Sequence, residues 1–362
     1  MKPEAILIAA EEILSQVNTS LQPANEIINA YTRSRRYIGS KDRRTLTDLV
    51  WTVIRHHFRL QYRYPDLSLS EQIKLAADTG LSDLDCLSDA PNYVNWEVPE
   101  WLIPLIPNAE QECPALLNPA STILRASGNR IDIQKCLQEE GIDTEPTPLS
   151  PFGLRLNKRA NLKGTKAYKT GLIEIQDEGS QCIALETGIK AGDTVLDYCA
   201  GAGGKSLIFA QMMHNQGKIV AHDISEKSLH ELTQRAQRAH ATCIQVQKPL
   251  EQALYDHVVT DVPCSGTGTW RRCPDMRWKL TQAQLHDLVQ RQADILKTAS
   301  HFVKDNGYLS YMTCSLTQIE NQGQIETFLA QNSDFHLIRQ KQFSPAQTQT
   351  DGLFVAVMQK IK

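Results

Sequence analysis

No run in this 362-residue chain approaches the roughly 20 consecutive apolar positions that a membrane-spanning helix requires. The first ten residues are briefly apolar, but they lead straight into Glu11 and Glu12 without a small-residue cleavage site. A cytoplasmic protein with no membrane partner is therefore expected. No Cys-x-x-Cys pair occurs among the nine cysteines, Cys264 and Cys273 stand too far apart for a simple zinc knuckle, and the ten histidines show no ligand spacing. No metal is expected on those grounds. An odd number of thiols scattered over a long chain without a secretory signal points to reduced cysteines rather than disulfides. Internal repeats and low-complexity tracts are missing too, and a monomer is expected.

What is present is the composition of a soluble globular protein, with 41% hydrophobic and 22% charged residues and length enough for two or three domains. The net charge of −3 conceals one strongly basic stretch. Between Tyr31 and Tyr64, nine basic residues (Arg33, Arg35, Arg36, Lys41, Arg43, Arg44, Arg55, Arg59 and Arg63) stand against Asp42 and Asp48, a local net of +7. Such a patch is either a solvated helix face or, as we expect, an attractor of nucleic acid through sequence-independent phosphate contacts.

Residues 1–64 read as helices, because Ala5, Ile8, Leu14 and Val17, and then Leu46, Leu49, Val50, Val53 and Ile54, recur at near-helical spacing. Shorter helical pieces are predicted over 65–115, broken at Pro91, Pro99, Pro104, Pro107 and Pro114. A small α/β unit follows over 116–170, with strands at 122–126 and 153–156, a helix at 131–140, and a loop at Pro146, Pro148 and Pro151. From 171 the pattern alternates regularly, with strands predicted at 194–198, 218–223, 242–247, 257–261, 308–313, 335–339 and 354–359. The clearest helix covers 281–304, with Thr281 and Gln284 as its capping box. Seven strands alternating with helices predict an α/β fold with a largely parallel, doubly wound sheet.

The segment Asp197-Tyr198-Cys199-Ala200-Gly201-Ala202-Gly203-Gly204-Lys205-Ser206 reads as a strand end, a glycine-rich turn and a helix start. Its glycines let the backbone turn tightly and approach a ligand closely. Asp223 ends the next predicted strand, where a carboxylate can accept hydrogen bonds from ribose hydroxyls. Neither the Gly-x-Gly-x-x-Gly nor the Walker spacing is present. On this pattern S-adenosylmethionine fits best, while a nicotinamide or other nucleotide and a merely structural turn stay open.

Two matched loops carry thiols: Asp261-Val262-Pro263-Cys264-Ser265-Gly266-Thr267-Gly268 and Tyr311-Met312-Thr313-Cys314-Ser315. Each follows a predicted strand, and open α/β sheets hold their ligands at the carboxyl ends of strands. Carbon 5 of a pyrimidine is a poor nucleophile. A thiolate adding to carbon 6 turns it into an enamine carbon able to take a methyl group, and so splits one difficult step into two easier ones. Asp261 is placed to act as an acid near ring nitrogen 3. A single free cysteine is often a small buried filler. Two in matched strand-end loops fit thiol chemistry better.

These residues resemble the Nop/Sun family of RNA cytosine-5 methyltransferases, in particular its bacterial RsmB-type members acting on 16S ribosomal RNA. Five motifs carry the likeness in order: Gln176-Asp177-Glu178-Gly179-Ser180-Gln181; the loop from Asp197 to Ser206; Asp261 to Gly268, continuing through Arg271-Arg272-Cys273-Pro274-Asp275 and Trp278; Tyr311 to Ser315 with Glu320-Asn321; and Asp351-Gly352-Leu353-Phe354. The resemblance implies a Rossmann-like class I methyltransferase domain over 171–362, a small RNA-recognition-like unit over 116–170 and a helical NusB-like RNA-binding region over 1–115. It implies Cys314 as the covalent nucleophile, Cys264 as the helper in product release, and Lys205 and Asp261 against the target cytosine. S-adenosylmethionine is implied on Cys199, Ala200, Gly201, Ala202, Gly203, Gly204 and Lys205, with Asp223 and Asp261. Arg35, Arg36, Arg43, Arg44, Arg271 and Arg272 are expected to meet RNA. Two departures stand out: Ala202 where the family has proline, which predicts a looser loop, and Gln247-Lys248-Pro249 where it has an aspartate near the adenine. Transfer RNA as substrate, or a catalytically weak methyltransferase-like ribosome-assembly factor, are the alternatives.

Overall fold

The apolar runs that alternate with helices in the second half of the chain assemble into one sheet. A computed structural model describes residues 1–361, and the chain divides into two compact units, Met1–Pro119 with Thr269–Gln284 and Ala120–Gly268 with Leu285 onward. Among the described residues no helix is long and apolar enough to cross a membrane.

The first unit is helical. Helices Pro3–Thr19, Ala24–Ser34, Ser40–Arg55 and Leu69–Thr79 share a core that includes Ile13, Leu14, Val17, Leu46, Val50 and Ile54. The first helix buries Leu14 and Val17 as predicted, but Ile8 is exposed, and Ala9 and Ala10 are buried in its place. The prolines act as expected of residues lacking an N–H. Pro91 and Pro99 stand just ahead of short helices, and Pro104 and Pro114 sit inside short terminal turns. Arg59, counted in the basic stretch, is buried 3.9 Å from the Glu97 carboxylate.

The second unit holds two sheets. Strands β1 (Ile123–Ala126), β2 (Thr144–Pro146), β3 (Gly153–Leu156) and β4 (Ile173–Ile175) form an antiparallel sheet in the order β2-β3-β1-β4. Helix Arg130–Glu139 packs on it, capped by the Asn129 side chain, which accepts the Ile131 N–H at 3.0 Å. The fourth strand lies beyond residue 170, and its three residues are too few to show an alternation.

The large sheet contains β5 (Thr194–Asp197), β6 (Lys218–Ala221), β7 (Ile244–Val246), β8 (Tyr255–Asp261), β9 (Val303–Thr313), β10 (Phe335–Phe343) and β11 (Leu353–Lys360). Their order is β10-β11-β9-β8-β5-β6-β7, parallel from β9 through β7, with β11 antiparallel to both neighbours. This is a Rossmann-like doubly wound sheet. The Thr281 capping box is formed, its hydroxyl accepting the Gln284 N–H at 3.2 Å and the Gln284 side chain accepting the Thr281 N–H at 2.9 Å. The helix it starts ends at Ser300 rather than 304. Phe302 keeps the helical stripe buried, but its carbonyl accepts the Tyr255 N–H at 2.8 Å, so the backbone there already serves the sheet. Because β5, β6, β8 and β9 run parallel, the loops that follow them open along one edge.

Candidate active site

At that edge the loop after β5 is held by its glycines. Gly201 and Gly203 have φ of 51° and 82°, the left-handed region that favours glycine, and a Cβ on Gly203 would lie 2.5 Å from Leu232 Cγ. The Gly201 N–H donates to Asp223 Oδ2 at 2.9 Å and the Ser225 N–H to Oδ1 at 2.8 Å. Each carboxylate oxygen therefore holds one backbone donor and keeps capacity for another. Asp197 is fully buried; Ser206 Oγ donates to its Oδ2 at 2.6 Å, its Oδ1 has no hydrogen-bond partner among the described residues, and burial pushes its pKa up to about 7. Burial, followed by nearby carboxylates, raises the Cys199 thiol. The Ala200 N–H donates to the His222 carbonyl at 2.9 Å.

The loop is tied where it was expected to be loose. Arg235 donates to the Ala202 carbonyl at 2.7 Å and is itself fixed by Glu174 at 3.0 Å. The Gln176 side chain donates to the Gly204 carbonyl at 3.1 Å. A guanidinium thus restrains the position that a proline ring would otherwise stiffen. At the end of β7, Lys248 Nζ donates to the Ile224 carbonyl at 2.7 Å, and Gln247 Oε1 is buried without a partner among the described residues.

Across the edge the two thiols meet. Cys264 Sγ lies 3.2 Å from Cys314 Sγ, and the Cys314 N–H points to Cys264 Sγ at 3.3 Å. The hydrogen bond with Cys314, then burial, pushes the Cys264 thiol well up. Lys205, on the helix that begins at Gly204, forms an ion pair with Asp261. Burial alone would favour the neutral amine, but the Asp261 charge and hydrogen bond outweigh it and raise Lys205. Lys205 is buried, while the Asp261 side chain keeps 33% exposure. The Gly268 N–H donates to the Cys314 carbonyl at 3.0 Å, and the Gly352 N–H to the Gly268 carbonyl at 2.8 Å. A Cβ on Gly268 would lie 1.9 Å from the Gly352 oxygen, so glycine is required for this approach.

The second unit thus brings together Cys264, Cys314, Asp261, Lys205, the loop from Cys199 to Gly204, and Asp223. The six arginines expected to meet RNA lie in the first unit. Arg36 and Arg44 are exposed; Arg35 is paired with Glu12 at 3.1 Å, Arg43 donates to the Thr32 carbonyl at 3.3 Å, and Arg271 is buried. One residue whose part the sequence did not reveal is Glu320, buried between the two cysteine loops. Its signal was a carboxylate three to seven positions past a run of hydroxyls, Thr313, Ser315 and Thr317.

A family model for the 16S rRNA methyltransferase RsmB/F matches residues 184–359. The probable ribosomal RNA small subunit methyltransferase B of Bacillus subtilis is 29% identical over 317 residues, covering 78% of this chain and 71% of that protein. A protein of the same name from Synechocystis is 33% identical over 266 residues, covering 66% of this chain and 58% of its own length. The solved structure of PH0851 aligns with a TM-score of 0.80 at 21% identity, over 99% of each chain, and shares the fold.

Proposed function

Because the chain belongs to the RsmB/F family of methyltransferases, we propose that it methylates carbon 5 of a cytosine in small-subunit ribosomal RNA through a covalent cysteine adduct. The observation that carries this is the meeting of Cys264 and Cys314, 3.2 Å apart, beside the Lys205–Asp261 pair on the edge that holds the glycine-rich loop. S-adenosylmethionine is the cofactor of the family and supplies an electrophilic methyl group. The residues present fit it: Asp223 has acceptor capacity left on both oxygens, Asp197 Oδ1 is an orphaned buried acceptor, and the loop backbone at Gly201 and Gly203 leaves no side chain in the way.

Cys314, as thiolate, adds to carbon 6 of the cytosine. The Asp261 carboxyl and the Lys205 ammonium share a proton against ring nitrogen 3, which stabilises the electron density pushed into the ring. Carbon 5 is then nucleophilic and takes the methyl group. A base takes the carbon 5 proton, Cys314 leaves as thiolate, and the proton at ring nitrogen 3 returns to the Lys205–Asp261 pair, which restores the aromatic ring. Cys264, in contact with Cys314, helps that last elimination.

Single replacements of the two thiols test this. Cys314→Ala should abolish methyl transfer and leave no RNA-linked band on a denaturing gel. Cys264→Ala should methylate once and stay joined to its RNA. A band with Cys314→Ala and none with Cys264→Ala would reverse the two roles. Full turnover in both variants would end the covalent mechanism.

A further inference from the structure

Glu320 has no exposed surface, yet its carboxylate accepts five hydrogen bonds. Two come from the loop after β8, the Ser265 N–H at 2.8 Å and Ser265 Oγ at 2.5 Å. Two come from the loop after β9, Ser315 Oγ at 2.6 Å and Thr317 Oγ1 at 2.7 Å. The fifth is from Gln292 Nε2 at 2.9 Å, which also donates to the Pro263 carbonyl at 3.0 Å. The residue after Cys264 and the residue after Cys314 are thus held to one buried carboxylate, and the residue before Cys264 is tied to it through Gln292.

The chemistry calls for a carboxylate. Ionised, it is acceptor-only, with room for about four lone-pair directions on two oxygens. A glutamine would offer one acceptor oxygen and turn two N–H donors towards groups that already donate. The glutamine oxygen could stay on the Ser265 N–H and Gln292 Nε2, which share Oε1, but its amide nitrogen would then face the Ser265, Ser315 and Thr317 hydroxyls, all three of which donate to Oε2 and would have to turn away. Around the same point, the Asn321 side chain accepts from Thr313 Oγ1 at 2.6 Å and donates to the Ser315 carbonyl at 2.9 Å, so the backbone on either side of Cys314 is fixed as well.

We propose that Glu320 is a positioning residue whose carboxylate ties the Cys264 loop to the Cys314 loop and so holds the two thiols in contact. As a statement about catalysis this rests on the cysteine mechanism above. As a statement about geometry it does not, and the two can be tested apart.

Thiol contact is read with diamide, which takes two electrons and two protons from a thiol pair, forming one S–S bond and its own hydrazine. In the parent protein Cys264 and Cys314 should join first, as mapped by mass spectrometry of non-reduced peptides. In Glu320→Gln the joining should slow about tenfold, and kcat should fall about 100-fold with little change in KM for RNA. Calorimetric affinity for S-adenosylmethionine should stay unchanged and so report an intact fold. Glu320→Asp, which keeps the charge, should recover part of both rates. Should Glu320→Gln not fold, Ser265→Ala removes the single hydroxyl donor beside Cys264 and should slow joining roughly two- to threefold. Unchanged joining in these variants overturns the proposal. Slowed joining without any effect on kcat leaves the positioning role intact and instead counts against the cysteine mechanism.

Discussion

At the scale of single residues, Asp223 does two jobs with one carboxylate. It fixes Gly201 and Ser225 through their backbone N–H groups, and it retains acceptor capacity on both oxygens. Asp223→Ala should therefore weaken S-adenosylmethionine binding by about 1.5–3 kcal/mol, the range for a hydrogen bond to a charged group. Asp223→Asn should lose less, because its remaining oxygen can still hold one of the two partners. Calorimetry measures both, and an affinity unaltered by Asp223→Ala would place the cofactor elsewhere. The same measurement bears on the absent adenine-side aspartate. A chain that does not bind S-adenosylmethionine would behave as an assembly factor rather than an enzyme.

At the scale of elements, what the sequence revealed depended on how local the cause was. The strands of the large sheet are buried runs bounded by turns, so β5, β6, β8 and β11 appear in the sequence almost at their true limits. The Thr281 cap is a contact between residues three apart and was equally visible. β4 was not, and neither was the start of β9 at Val303, because each depends on a partner strand far away in sequence. The two cysteines could be read from their matched loops. That Glu320 joins those loops could not, since its donors come from positions as distant as Ser265 and Gln292. The basic stretch shows the same limit. Charge counting includes Arg59, which is buried, and weighs Arg35 and Arg43, which are engaged with Glu12 and the Thr32 carbonyl, like Arg36 and Arg44. If helices Ala24–Ser34 and Ser40–Arg55, with the turn between them, bind RNA phosphates, neutralising Arg35, Arg36, Arg43 and Arg44 should lower affinity broadly. The salt slope should flatten by up to ~0.9 per lost phosphate contact on a duplex. Arg36 and Arg44 should account for most of the change, because Arg35 and Arg43 are already engaged within the protein. Filter binding at several salt concentrations decides it, and an unchanged slope would make the patch a solvated face.

At the scale of the whole molecule, each of the two units contains a carboxyl group raised by burial and an imidazole lowered by burial, and their ionisations pull stability in opposite directions. In the helical unit burial raises Glu97 from 4.5 to about 7, although it accepts the Phe58 and Arg59 N–H groups, and burial lowers His57 from 6.5 to about 4 where it stacks on Trp278 at 4.0 Å. In the second unit burial likewise raises Asp197 from 3.8 to about 7 and lowers His257. A raised carboxyl binds its proton more tightly when folded, so its contribution is complete below the unfolded value and is lost as pH climbs to about 7. A lowered imidazole behaves the other way: its contribution is complete above 6.5 and is lost as pH falls towards 4. Over the shared window the two slopes oppose, and the parent protein should show little pH dependence from these groups. Removing one member should expose the other. Glu97→Gln should gain roughly 3 kcal/mol relative to the parent between pH 4.5 and 7.5, on top of a constant cost for the backbone donor it can no longer satisfy. His57→Phe, which keeps the stack on Trp278, should gain relative to the parent as pH falls from 6.5 to 4. Urea denaturation of the three proteins across this range tests both signs at once. A Glu97→Gln curve that runs parallel to the parent would mean that Glu97 is ionised in the folded state at every pH tested, with Arg59 and Arg277 holding its charge against the cost of burial.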